Sequence, residues 1–349
     1  MAQARSLCTM RSLARVFYAV KANPHPAVLR ALAAEGLSFE CVSRGEVERV
    51  LQAVPGIERG RLLFTPNFAP RLEYQWALDE DLRVTVDNLY VLRSWNGMFR
   101  GREIFLRIDP GRGRGHHRKV RTAGLHSKFG VPLFELAELR QAAHQCGATI
   151  AGLHAHTGSG NFAVASWIET ARILAGAAKR FPRAGVLNIG GGIGVPDRPS
   201  RLPIDLGKLD AALARFRAAH PALELWLEPG RYLVAAAGVL LARVTQLKGK
   251  GAVQYVGVAT GMNSLMRPAL YGSHHEIFNL SRLDQPAEMR CTVVGPICES
   301  GDILGRDRLL PRSAEGDILL IANTGAYGHV MGSAYNLRPP AEELALPSR

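Results

Sequence analysis

Eight short apolar runs alternate with helix-like stretches between residues 17 and 228. Intervening stretches such as 25–36 and 43–54 carry apolar residues at i, i+3 and i+4, which predicts amphipathic helices. Eight such units predict an α/β fold, a (β/α)8 barrel. An open doubly wound sheet is the alternative, but no GxGxxG follows the first strand. The predicted strands are FYAVKA (17–22), FECVS (39–43), LLFT (62–65), RVTVDN (83–88), IFLRID (104–109), IAGLHAH (150–156), VLNIGG (186–191) and LELWLE (223–228).

The pattern changes after about residue 240. The runs LLARVTQLKG, QYVGVAT, EMRCTVVG and GDILLIANTG are separated by Gly, Pro and charged turns, without long helices between them. This predicts a smaller, mainly antiparallel β domain. We therefore expect a barrel over residues 1–237 and a β domain over residues 238–349.

Composition excludes several function classes. The five cysteines are scattered and show no CxxC spacing, which predicts reduced thiols in the cytoplasm and no metal site. The longest apolar stretch, 232–244, contains Gly238 and Arg243, so we expect no membrane span. The net charge is +13, but the one dense basic cluster, GRGRGHHRKVR (111–121), lacks interleaved aromatic residues, so we expect no nucleic-acid binding. The Arg-rich start resembles a transit peptide, but a first strand near Phe17 argues against cleavage.

Unusual polar residues fall at the carboxyl ends of the predicted strands, where barrel enzymes carry their chemistry. A partly desolvated lysine there offers an amine that can attack a carbonyl, and a structural ion pair is the alternative. The turn NIGGGIG (188–194) suits a phosphate, and HTGSG (156–160) adds a hydroxyl and further backbone donors. The histidines could stack on an aromatic ring, or they could be buried core residues whose ring nitrogens are hydrogen-bonded. The candidates are Lys21, Glu40, His154, His156, Ser159, Gly190, Gly191, Gly192, Glu228 and Arg231.

The β domain carries its own candidates. Arg267 and Tyr271 have i, i+4 spacing and could hold a carboxylate together. The segment GPICESGD (295–302) presents Cys298 and Glu299, although a small buried residue is the simpler interpretation of Cys298 alone. Tyr327 lies in a third glycine-rich segment, 323–336.

Together these motifs resemble the fold-type III decarboxylases that depend on pyridoxal 5'-phosphate (PLP), most closely the diaminopimelate decarboxylase family. Their barrel is shared with the alanine racemases. The sequence is also similar to the decarboxylase half of fused aspartate kinase–diaminopimelate decarboxylases, although it contains nothing that resembles a kinase. The motifs, in order, are FYAVKAN, ECVSRGE, HAHTGSG, NIGGGIG, LEPGR, MNSLMRPALYG, GPICESGD, GAYG and a final YN.

The resemblance implies a role for each candidate residue. Lys21 would form the Schiff base with PLP, His156 would stack on the cofactor ring, and Glu228 would pair with the pyridine nitrogen. Ser159 and Gly190, Gly191 and Gly192 would hold the phosphate, and Arg231 would reach phosphate or substrate. Cys298 would donate a proton across a dimer interface. Recognition of the far end of the substrate would fall to Arg267, Tyr271 and Glu299, and Tyr327 would contact cofactor and substrate.

The reaction expected from the resemblance is decarboxylation of meso-2,6-diaminopimelate to L-lysine and CO2, the last step of lysine biosynthesis, in a homodimer with shared active sites. The alternatives are decarboxylation of ornithine or arginine, a racemase, and a non-catalytic truncated remnant. Only twenty residues precede Lys21, where the family has several dozen, so we expect a truncated start or a piece of a longer polypeptide. Glu40 and Ala259 stand where the family often has Asp.

Overall fold

The computed structural model describes residues 1–111, 113, 122–124 and 126–346. The chain forms two compact units, Met1–Gly194 with Pro203–Leu233, and Val195–Leu202 with Val234–Arg349. Except for Gly111 and Gly113, the basic cluster at 111–121 lies outside the described residues. Among the described residues, no helix combines the length and the apolar character that a bilayer crossing requires.

Eight parallel strands of the first unit close into a barrel in the order β4-β3-β2-β1-β9-β8-β7-β5, with β4 paired to β5. The predicted (β/α)8 barrel is confirmed. Most strands end earlier than predicted, although β5 ends at Asp109 as expected. Strand β1 stops at Ala19, and Lys21 lies in the following 3-10 turn Val20–Ala22. The strands are β1 Arg15–Ala19, β2 Ser38–Cys41, β3 Leu62–Phe64, β4 Arg83–Val86, β5 Glu103–Asp109, the short β6 Val131–Pro132, β7 Thr149–His154, β8 Val186–Asn188 and β9 Glu224–Leu227.

Helices follow most barrel strands. The third helix begins with half of a capping box: Ser43 Oγ accepts from the amide of Glu46, and the Glu46 carboxylate accepts from the amide of Val42 instead of that of Ser43. The first helix was not predicted, and it buries only Ala4 and Leu7. The helices are α1 Ala2–Cys8, α2 Pro26–Ala34, α3 Arg44–Ala53, α4 Arg71–Asp79, α5 Leu89–Ser94, α6 Leu136–Gln145, α7 Ala165–Ala178, α8 Leu206–Ala219 and α9 Arg231–Val234.

Large apolar side chains fill the barrel interior. Phe17, Leu63, Phe105 and Trp226 form one buried cluster. The Trp226 ring lies 5.1 Å from that of Phe17 and 5.2 Å from that of Phe105, between ring centroids. Arg15, the first residue of β1, places its guanidinium carbon 5.2 Å from the Trp226 ring. These side chains precede the carboxyl ends of their strands, where the polar residues follow.

The second unit is built around a six-stranded sheet in the order β12-β15-β10-β11-β13-β14. Strands β11 and β13 run parallel, and the other neighbouring pairs are antiparallel, which confirms the predicted mainly antiparallel domain. Its core includes Val256, Val293, Leu319 and Ile321. The elements are β10 Leu240–Lys250, β11 Val253–Val258, α10 Arg267–Tyr271, β12 Ile277–Asn279, β13 Met289–Val294, β14 Ile303–Leu310 and β15 Ile318–Ile321.

Candidate active site

A row of polar side chains crosses the carboxyl ends of three neighbouring barrel strands. Arg107 of β5 is in register with His154 of β7, and His154 is in register with Asn188 of β8. Paired residues of parallel strands point to the same face, and all three side chains are buried. Glu228 follows directly after β9, the next strand of the barrel. Strand register thus brings a guanidinium, an imidazole and an amide to one level, and Glu228 lies two residues beyond Trp226, the β9 partner of Asn188.

Glu228 is a buried carboxylate with both oxygens hydrogen-bonded. His154 Nε2 lies 2.9 Å from Oε2, and Asn188 Nδ2 donates to Oε1 at 2.7 Å. Burial by itself raises the pKa of Glu228, but the attraction and hydrogen bond of His154, together with the charge of Lys21, outweigh it and lower the pKa below its usual range. The geometry therefore preserves a negative charge in a buried position.

Lys21 lies in the turn after β1, and its ammonium group forms an ion pair with Glu40 of β2. The Glu40 side chain is 2% exposed and also accepts a hydrogen bond from Thr65. We expected partial burial to disfavour the charged lysine. The lysine side chain is 39% exposed and the ion pair that is the alternative interpretation is present, so the role of Lys21 as a nucleophile stays a prediction.

The triple glycine forms a turn in which side chains would not fit. A Cβ on Gly191 would lie 1.9 Å from the carbonyl oxygen of Glu228, and one on Gly192 would lie 2.0 Å from that of Gly158. The amide of Gly190 donates to Asn188 Oδ1 at 3.0 Å, and that of Gly191 donates to His156 Nδ1 at 3.1 Å. Two of the three amides thus bond within the protein, and a phosphate-binding role for the three glycines stays a prediction.

His156 lies two residues beyond the end of β7, not within the strand as predicted. Burial, followed by the positive charges of Arg107 and Lys21, lowers the pKa of His156 to about 3. Because Nδ1 accepts from Gly191, the neutral ring carries its proton on Nε2. A neutral, fixed imidazole is suited to lie flat against another ring.

Ser159, in the loop after β7, contacts Arg231, the first residue of helix α9. The guanidinium Nε and Nη2 atoms donate to Ser159 Oγ at 3.2 and 3.1 Å. A hydroxyl beside a guanidinium is a combination that binds phosphate.

These barrel residues fit PLP. The buried Glu228 carboxylate could hold the pyridine nitrogen as its counter-ion, and His156 could offer a neutral ring. Lys21 supplies an amine, and the Ser159–Arg231 contact supplies donors for a phosphate. The first unit thus contains side chains whose chemistry suits each part of PLP, and the role of each residue stays a prediction.

In the second unit, Arg267 and Tyr271 lie at the two ends of helix α10. The Arg267 side chain is 7% exposed, which is unusual for an arginine. Its Nη1 atom lies 3.1 Å from His275 Nε2, and Nη2 donates to Ser273 Oγ at 3.3 Å. The predicted i, i+4 pair is therefore on one short helix, with the guanidinium held by neighbouring side chains.

Cys298 and Glu299 lie in the turn between β13 and β14, and both are exposed, contrary to the simple interpretation of Cys298 as a buried residue. The Cys298 amide donates to Asn336 Oδ1 at 2.7 Å. The buried Asp302 carboxylate accepts from the amides of Ile297 at 2.7 Å and Met262 at 2.6 Å. Asp302 thus joins the turn that carries Cys298 to the segment that precedes α10.

Tyr327 lies in a turn after β15 and has a φ of 57°, in the left-handed region. Its side chain is half-buried. A non-glycine residue in this conformation is uncommon and is often found where a side chain must point in a defined direction.

Asn188, Arg107 and Asp87 were not among the candidates predicted from the sequence. Asp87 follows β4 and is buried, and burial raises its pKa to about 6 against the opposing charge of Arg107. Arg107 is buried too, with its guanidinium carbon 4.6 Å from the Phe129 ring. Each places a polar side chain at or near the carboxyl end of an apolar strand, and that signal could have identified them.

Comparison with known proteins agrees with this geometry. Residues 2–235 match the family model for the pyridoxal binding domain of pyridoxal-dependent decarboxylases. The diaminopimelate decarboxylase of Methanothermobacter thermautotrophicus is 40% identical over 346 residues, which cover 95% of this chain and 79% of that protein. That of Archaeoglobus fulgidus is 34% identical over 342 residues, covering 94% and 81%. A crystal structure of diaminopimelate decarboxylase from Helicobacter pylori, complexed with L-lysine, is 28% identical with a TM-score of 0.89, covering 99% of this chain and 90% of that one.

The barrel, the buried carboxylate and the match over residues 2–235 define the class: the protein is a pyridoxal-dependent decarboxylase. The relatives extend over both units and share 34–40% of their residues with the chain. The chain belongs to the diaminopimelate decarboxylase family.

Proposed function

We propose that the protein decarboxylates meso-2,6-diaminopimelate to L-lysine and CO2, as a cytoplasmic homodimer. The observation that carries the proposal is the buried Glu228 carboxylate, held by His154 and Asn188. The relatives named diaminopimelate decarboxylase, one of them complexed with L-lysine, support this choice of substrate.

When bound, PLP supplies an electron sink for the bond that breaks as CO2 leaves. Glu228 keeps a proton on the pyridine nitrogen, because a buried anion stabilises the cationic ring nitrogen. An arginine at this position would weaken the sink, as in the alanine racemases, so the carboxylate favours decarboxylation over racemisation. Asn188 and His154 orient Glu228 and hold its charge in place.

The other barrel residues bind and orient the cofactor. Lys21 would hold PLP through its amine, and Glu40 keeps the lysine side chain at the end of β1. His156, neutral and fixed by Gly191, would pack on the cofactor. Ser159 and Arg231 would bind the phosphate together with the glycine turn.

The second unit contributes the groups that recognise the substrate and deliver the proton. Cys298 donates a proton to the carbon that has lost CO2. Its thiol is exposed in this chain, which is compatible with a role in the active site of a second copy. Arg267 pairs with the distal carboxylate of diaminopimelate, Glu299 with the distal ammonium group, and Tyr271 and Tyr327 complete the contacts. Ornithine has no distal carboxylate for Arg267.

The deciding experiment measures CO2 release by the PLP-loaded protein from meso-diaminopimelate, ornithine and arginine. We expect kcat/KM to be highest for diaminopimelate, and a preference for ornithine would contradict the role of Arg267. Chiral analysis of the amino-acid product separates decarboxylase from racemase.

A matched variant tests the cofactor site. Lys21→Ala should abolish the visible absorbance of the bound cofactor, whereas Lys179→Ala, at an exposed lysine after α7, should retain it. Wild-type protein that cannot be loaded with PLP would support the non-catalytic remnant. Sedimentation of the loaded protein tests the homodimer.

A further inference from the structure

His275 lies between α10 and β12 in the second unit, and its side chain is 0% exposed. Histidine is rarely buried so completely without fixed partners for both ring nitrogens. His274, its neighbour, is 22% exposed and contacts Glu276 and Arg308 instead. The two adjacent histidines therefore have separate surroundings.

The two ring nitrogens of His275 have opposite roles. Nδ1 lies 2.8 Å from the carbonyl oxygen of Ala322, which can only accept, so Nδ1 carries a proton. Nε2 lies 3.1 Å from Arg267 Nη1, which can only donate, so Nε2 carries a lone pair. The partners thus fix both the tautomer and the neutral state of the ring.

The anchor of this contact is the central sheet of the second unit. Ala322 follows β15 directly, and its amide donates to the carbonyl oxygen of Glu276 at 2.9 Å. The position of His275 Nε2 is therefore set by backbone, not by a flexible side chain. Because Arg267 Nη1 is hydrogen-bonded to Nε2, the position of the guanidinium is fixed through His275.

The contacts of Arg267 with His275 and Ser273 are both to neutral acceptors. A carboxylate in either place would orient the guanidinium but also cancel much of its charge. A neutral imidazole and a hydroxyl orient the guanidinium and bring no opposing charge of their own at these two positions.

We infer that His275 is a positioning residue for substrate specificity: it holds the Arg267 guanidinium for the distal carboxylate of the substrate. This inference rests on the proposed function, in which Arg267 binds that carboxylate. His275 itself touches neither substrate nor cofactor in this role.

Two substitutions separate positioning from a structural role. His275→Asn keeps a donor for Ala322 near the place of Nδ1 and removes the acceptor for Arg267. His275→Gln keeps an acceptor near the place of Nε2. The matched control is His274→Asn, which changes the neighbouring histidine, whose contacts are with Glu276 and Arg308.

The ligands are L-lysine and cadaverine, which differ by the carboxylate assigned to Arg267, and their dissociation constants are measured by calorimetry on the PLP-loaded protein. We expect His275→Asn to weaken L-lysine binding about tenfold and to leave cadaverine binding within about twofold. The KM for diaminopimelate should rise in parallel, with kcat little changed. His275→Gln should restore L-lysine binding to within about threefold of the wild type, and His274→Asn should match the wild type.

An equal loss of both ligands in His275→Asn, or unchanged L-lysine binding, would overturn the inference. So would a Gln variant weaker than the Asn variant, because a purely structural role needs the bond to Ala322 most. Failure of the proposed function is a separate outcome, visible in the wild type as no turnover of diaminopimelate or no preference for L-lysine over cadaverine.

Discussion

His154 Nε2 lies 2.9 Å from Glu228 Oε2 and forms a hydrogen bond with this carboxylate at the carboxyl end of the barrel. Asn188 occupies the other carboxylate oxygen, so Glu228 is held from two neighbouring strands. The arrangement stabilises an anion where burial alone would favour a neutral acid. The chemistry of the site depends on that charge.

Removing the charge from Glu228 tests this relationship. In Glu228→Gln, the neutral amide cannot keep a proton on the pyridine nitrogen, so we expect kcat to fall by about 100-fold or more. PLP content should change little, because Lys21, Ser159 and Arg231 remain. The measurement is CO2 release per bound PLP. Glu224→Gln is the control, since Glu224 is exposed at the other end of β9; equal losses in both variants would contradict the prediction.

The glycine turn provides a test of packing. In Gly191→Ala, the new Cβ would meet the Glu228 carbonyl oxygen at 1.9 Å, so backbone must shift on both sides of the site. We expect a loss of about 1–3 kcal/mol in the free energy of unfolding, together with weaker PLP binding. Gly176→Ala is the control, because a Cβ on this residue of α7 would have no neighbour within 4 Å and alanine favours a helix. Similar melting temperatures for the two variants would refute the packing argument.

Much of the barrel follows from periodicity alone. Each of the eight predicted strands is present, because alternating apolar runs and amphipathic stretches have few other ways to bury their surfaces. Helix α1 was missed since it buries only Ala4 and Leu7 and so lacks a recognisable apolar stripe.

The site is less predictable than the fold. Lys21, His156 and Glu228 stand out in the sequence, but their partners do not. That Asn188 bonds to Glu228, and that Arg107 is level with His154, depends on strand register. Register is set by closure of the whole barrel and cannot be derived from one segment.

Glu46 gives a prediction about pH. Burial, partly offset by Lys21 and by the amide of Val42, raises the pKa of Glu46 from 4.5 to about 7. A carboxyl group whose pKa is raised in the folded state binds its proton more tightly there than in the unfolded state. The contribution of protonated Glu46 to stability is therefore lost as pH rises from about 4.5 to about 7. Glu46→Gln removes this loss, because the amide never ionises and its oxygen can still accept from Val42.

The difference in unfolding free energy between Glu46→Gln and the wild type should therefore grow with pH and level off above about pH 7. We expect a final difference on the order of 1–3 kcal/mol in favour of the variant. Denaturant titrations at a series of pH values measure it. Glu48→Gln, on the exposed side of the same helix, should show no such trend. A flat difference for Glu46→Gln would show that its carboxylate is not desolvated.

The proposed role of Cys298 is tested by the protonation step that follows the loss of CO2. Cys298→Ala removes the proposed proton donor, so we expect turnover to fall by about 100-fold or more while PLP absorbance stays unchanged. In heavy water, the wild type should add one deuterium to the product carbon with a single stereochemistry, and the variant should scramble it, because solvent can then reach either face. NMR of the isolated product distinguishes the two. Cys8→Ala, the other exposed cysteine among the described residues, is the control. If Cys298→Ala keeps both rate and stereochemistry, the proton must come from another group, and Cys298 would have no part in catalysis.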